Sequence, residues 1–160
     1  MDRVALHFER TDGRRGRGGD LLLRLGAWRQ VCDSYYLSVD DAPTARGDLT
    51  RRIARLLEQW EEQVAGIPGR AGGTAFLPFD FSDQYTGWLR VASEDGVRAR
   101  VEAGWSRVLE GWSFPPSDIA GAAGSVRDFD PVAGARLDCS VSGLLAAITA
   151  VRRGFAPDQG

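Results

Sequence analysis

The sequence contains no lysine, so all 20 of its basic residues are arginine. It has one histidine, His7, and two cysteines, Cys32 and Cys139. One imidazole and two distant thiols match no familiar zinc-ligand spacing. They also leave Ser–His or Cys–His chemistry with His7 as its sole base. Without lysine there is no P-loop, and the glycine-rich stretch 13–19 has neither P-loop nor dinucleotide-binding spacing. Ser140-Val141-Ser142-Gly143 is not a nucleophile elbow. No apolar run approaches the ~20 residues of a membrane span, and residues 1–9 hold no signal-peptide core. These absences point to a cytoplasmic protein that needs no membrane, metal or cofactor, and they assign no catalytic residue. A net charge of −2 supplies no bulk field for nucleic acid.

What is present is ordinary in bulk. The apolar fraction is 43% and the charged fraction 26%, which is the balance of a globular domain. A chain of 160 residues buries roughly 70% of its unfolded surface without a disulfide or metal staple. The expectation is one domain over residues 1–154 with a loose tail over 155–160. Cys32 and Cys139 read as reduced, buried thiols, and His7 as a structural or solvent-facing residue on a strand. Arginine use with a heavy alanine and glycine load reads as the habit of a GC-rich bacterial genome.

Strand patterns fall at 4–9, 21–26, 34–39, 74–79, 85–93, 97–106 and 136–139. The loop between the first two carries Arg14, Arg15 and Arg17 among glycines. It reads as a soluble hairpin loop rather than a nucleic-acid contact, because a few arginines make no basic face here. Residues 49–64 form the clearest helix: Asp48 caps it, and Leu49, Ile53, Leu56, Leu57, Trp60 and Val64 make one apolar stripe. Arginine sits near its start and glutamate near its end, against the helix dipole. Gly66, Pro68, Gly69, Gly72 and Gly73 read as a loop. A second helix covers 141–151, capped by Ser140 or Ser142 and ended by Gly154. The fold class is therefore α+β, a mainly antiparallel sheet with two principal helices on one face.

The hairpin over 85–106 has a readable register. A turn of Glu94-Asp95-Gly96 with Gly96 left-handed pairs Val91 with Ala99 and Leu89 with Val101. One face is then apolar, while the other carries Trp88, Arg90, Arg98, Arg100 and Glu102. Trp88 falls opposite Glu102 and diagonal to Arg100, an arrangement suited to an interface anchor.

The densest blend of rings, acid and turn formers is at 76–90, with Phe76, Phe79, Asp80, Phe81, Asp83, Tyr85 and Trp88. Trp112 and Phe114 echo it downstream. Asp80 and Asp83 can share a proton or hold a cation, or Asp83 and Ser82 can close a local turn. The binding candidates are Trp88, Arg90, Arg98, Arg100, Asp80, Asp83, Tyr85 and Trp112.

At Leu77-Pro78-Phe79-Asp80-Phe81-Ser82-Asp83-Gln84-Tyr85, with Gly111-Trp112-Ser113-Phe114 downstream, the chain resembles small bacterial proteins of the polymorphic-toxin immunity kind. The resemblance implies an α+β domain that binds and blocks a cognate toxin. The arginine-rich loop and near-neutral charge depart from immunity proteins that mimic nucleic acid. The leading expectation is thus a protein-binding module with a protein partner and no nucleic acid. The alternatives are a homodimer on the same sheet face, and a small enzyme or ligand-binding domain. The last would line a pocket with Tyr36, Tyr85, Trp105, Trp112 and Phe114, and use Asp80, Asp83 or Arg107 as polar contacts.

Overall fold

The computed structural model describes residues 3–11 and 20–155. The arginine–glycine loop and the final residues 156–160 lie outside them. The elements are β1 (Leu6–Arg10), β2 (Leu21–Leu25), β3 (Trp28–Cys32), α1 (Tyr35–Ser38), α2 (Leu49–Gly69), β4 (Gly73–Phe81), β5 (Thr86–Ser93), β6 (Arg98–Ser106), α3 (Ala120–Ala123), β7 (Asp130–Ser140) and α4 (Val141–Arg153). They build an α+β fold of two antiparallel sheets, β1-β2-β3 and β4-β5-β6-β7. α2 packs on β4 and α4, α4 reaches β1 and β7, and β3 meets β4 and β7. Among the described residues no helix is long and apolar enough to cross a membrane.

α2 carries the expected stripe: Ile53, Leu56, Leu57, Trp60 and Val64 are all buried. The Asp48 carboxylate accepts the Arg51 amide at 3.0 Å, which satisfies one orphan donor of the first turn. The helix then runs beyond the expected end, through Pro68. Burial of Ile67 holds the extra turn on the core, and Ala71 and Gly72 close it by donating to the carbonyls of Pro68 and Ile67. The arginines near its start serve tertiary contacts that outweigh the few tenths of a kcal/mol lost to the dipole. The Arg52 guanidinium donates to the carbonyls of Leu37, Ser38 and Asp40. Arg55 reaches Ser117, Glu58 and Glu62. Glu61 pairs with Arg152 and ties α2 to α4. Ser140 caps α4 by accepting the Gly143 amide at 2.9 Å.

Three expectations need correction. Residues 34–39 form one helical turn, not a strand. The Asp33 carboxylate accepts the Tyr35 amide at 2.8 Å, and Asp20 accepts both the amide and the hydroxyl of Ser34, so these amides are withdrawn from any ladder. The third strand is instead Trp28–Cys32, whose mixed sequence gives no clean alternation. Phe155 is not tail: it is buried, with its ring 6.4 Å from that of Phe8. Both cysteines are free and buried, and His7 is exposed opposite Arg24.

The hairpin keeps its expected faces but slips by two residues. Val91 pairs with Val101, Leu89 with Ala103 and Arg90 with Glu102. Gly96 is left-handed with φ +79°, yet the turn is wider than a three-residue loop. The Asp95 carboxylate takes the amides of Val97 and Arg98, and the Ser93 hydroxyl takes that of Gly96. Trp88 therefore sits opposite Gly104, not Glu102. It is fully buried, because the segment between β6 and β7 folds over this face. Phe114 stacks on its ring at 5.6 Å, Phe76 meets it edge-on at 6.4 Å, and its indole N–H donates to Thr86 Oγ1 at 2.6 Å. Trp88 is core. Trp88→Ala should cost about 3–5 kcal/mol of unfolding free energy in urea titration; stability within about 0.5 kcal/mol of the parent would contradict this packing.

Candidate functional site

Two concave surfaces contain six of the expected site residues, all but Trp88 and Trp112. One is a groove of about 690 Å³ on the outer face of the four-stranded sheet. It gathers Arg90, Arg98 and Arg100, but two of these are already partnered. Arg90 pairs with Glu102 at 2.8 Å and lies 4.5 Å from the centre of the Phe129 ring. Arg100 pairs with Asp138 at 3.0 Å. With acids interleaved and Trp88 covered, the face lacks the central ring that would anchor an interface.

The other is a cleft of about 570 Å³ where β3, α1 and the β4–β5 turn meet. Asp80 and Asp83 both line it, joined by Asp33, Tyr35, Tyr36 and Tyr85. Asp80 lies within β4, past a bulge after Pro78, rather than after the strand as expected. The Ser82 amide donates to the Tyr85 carbonyl at 3.0 Å, closing the turn through backbone alone. That leaves the Asp83 side chain free of turn duty, and it accepts the Tyr36 hydroxyl. This bond raises the Tyr36 phenol to about 12, because losing the proton would set a phenolate against a carboxylate.

The rim comes from a distant stretch. Gly111 donates its amide to the Ser82 carbonyl at 2.6 Å. A Cβ there would lie 2.5 Å from that oxygen, so only glycine permits the approach. The contact seats Trp112, whose indole N–H donates to the Asp83 carbonyl at 3.2 Å. Tyr35 meets Tyr36 edge-on at 5.1 Å, and Tyr85 meets Trp105 edge-on at 5.0 Å. Even so, Tyr35, Tyr85 and Trp112 remain 58%, 38% and 63% exposed.

The floor is unlike the rim. Asp80 is buried, and burial raises its carboxyl to about 6, opposed by hydrogen bonds from the backbone of Asp33 and Phe81. Cys32 beside it is pushed up by burial and by the charges of Asp80 and Asp20, so its thiol stays protonated and unreactive. Among the described residues no group of histidine, cysteine and acids can hold a metal ion. Phe114 and Arg107, expected in a pocket with these acids, lie elsewhere. Phe114 sits on Trp88 and Phe81, and the Arg107 amide donates to Asp128. Trp105 backs Tyr85 from behind. Asp33, Tyr35 and Ser82 were not foreseen as site residues; the fold of 34–39 had to be known before they could be placed.

Neither a protein-family model, nor a curated protein, nor a solved structure matches the chain.

A carboxyl raised from 3.8 to about 6 in the folded state favours folding most below 3.8 and loses that advantage as pH rises through about 6. The difference amounts to roughly 3 kcal/mol at neutral pH. Asp80→Asn should remove it. The variant should gain on the parent by about 1–3 kcal/mol between pH 4 and pH 7.5 in urea titrations, and a gain independent of pH would contradict the burial of a titrating carboxyl.

Proposed function

We propose that the protein is a binding module without catalysis, and that its contact surface is the tyrosine–aspartate cleft with the Trp112 rim. The observation that carries this reading is the exposure of Tyr35 and Tyr85 in the lining of one concavity, with exposed Trp112 hydrogen-bonded to Asp83 beside it. Folding normally buries such rings, and interfaces draw most of their binding energy from them. The floor supports binding more than chemistry. Its thiol is held neutral, its histidine count is zero, and its buried carboxyl is occupied by backbone donors. The sequence resemblance suggests a protein as the partner, a cognate toxin being the kind it implies.

Concavity favours a second reading, a small-molecule site, in which Asp80 and Asp83 sit in opposite environments at one cleft. Native mass spectrometry separates the two, since a small ligand would travel with the purified chain.

The tagged protein, used to capture partners from lysate of its source cells, should retain one stoichiometric protein. Tyr35→Ala and Trp112→Ala should each weaken that complex by about 2 kcal/mol, roughly thirtyfold in Kd. Melting temperature should stay nearly unchanged, because both rings are exposed. Retention of the same partner by the double variant would overturn the assignment of the cleft.

A further inference from the structure

Resting on that reading, we propose that the cleft receives an arginine side chain presented by the partner, with its guanidinium between the carboxylates of Asp33 and Asp83 and the exposed rings of Tyr35, Tyr85 and Trp112. Charge distribution carries the proposal. The chain has 20 arginines, and ion pairs join Arg90 with Glu102, Arg100 with Asp138, Arg152 with Glu61, and Arg55 with Glu58 and Glu62. Among the described residues the cleft lining includes three aspartates and no arginine, and no ion pair reaches Asp33, Asp80 or Asp83.

The unneutralised charge coincides with the exposed rings. Among the described residues Asp33 accepts the Tyr35 amide and Asp83 the Tyr36 hydroxyl, and a carboxylate accepts several bonds at once. Their orientation is therefore fixed while capacity remains. A planar guanidinium suits this combination because it donates in a fork to a carboxylate while its face stacks on a ring. A lysine ammonium offers the charge without the fork or the stacking plane.

The test uses the whole chain and three labelled peptides, acetyl-Gly-Arg-Gly-Arg-Gly-amide and its citrulline and lysine counterparts, read by fluorescence anisotropy at low salt. Citrulline keeps the plane and loses the charge. The arginine peptide should bind at least about tenfold tighter, with the lysine peptide between the two. The Asp33→Asn/Asp83→Asn variant should abolish that preference, since asparagine can still accept from the Tyr35 amide and the Tyr36 hydroxyl and so preserve the fold. Equal binding of arginine and citrulline peptides, or an unchanged preference in the double variant, would overturn the proposal. So would a preference seen only after Arg14, Arg15 and Arg17 are replaced by glutamine, which would assign the cleft to the chain's own arginines. The two readings fail separately. Partner capture lost with the alanine variants but kept by the asparagine variant would sink the arginine inference alone, whereas capture kept by all of them would sink the cleft.

Discussion

Two carboxylates, those of Asp20 and Asp33, decide what the surface of this protein offers. They take the backbone amides of Ser34 and Tyr35 and turn a segment of high strand propensity into a single helical turn. A strand there would have sent Tyr35 and Tyr36 to opposite faces of a sheet. The turn instead sets them side by side, Tyr36 reaching Asp83 and Tyr35 staying exposed. The Arg52 guanidinium gathers the carbonyls at the other end of the turn. One helical turn is too short to persist alone, so side chains from β2's leading edge, β3's end and α2 hold its shape.

The second constraint is the burial of the outer sheet face. Trp88 among arginines looks like an interface only while the chain after β6 is ignored. That segment brings Phe114 onto Trp88 and Phe129 beneath Arg90, and converts the centre of the face into core. The same crossing carries Gly111 against Ser82 and leaves Trp112 outside. One stretch thus conceals one tryptophan and exposes another, and the candidate site moves from the sheet face to the strand ends.

Periodicity made much of this fold legible. The stripe of α2, the caps by Asp48 and Ser140, and the two faces of the β5–β6 hairpin can all be read residue by residue, because each follows from local hydrogen bonding or a repeat. The two-residue register slip was not legible, since Asp95 and Ser93 widen the turn without changing which side chains share a face. The extension of α2 through Pro68 depends on the burial of Ile67, a tertiary fact. Asp80, Asp83, Tyr85 and Trp112 stood out by composition. Their convergence with Asp33, Tyr35 and Tyr36 depends on contacts between distant residues, such as Tyr36 with Asp83 and Gly111 with Ser82, which no local pattern announces.

The most direct measurement is amide chemical-shift mapping of the labelled protein with and without its captured partner. Perturbations concentrated at Asp33, Tyr35, Tyr36, Asp83, Tyr85 and Trp112, with Arg98, Arg100 and Asp138 unmoved, are the result expected of a cleft that binds. Perturbations centred on Arg98, Arg100 and Asp138, with the cleft silent, would contradict it and return the binding surface to the sheet face.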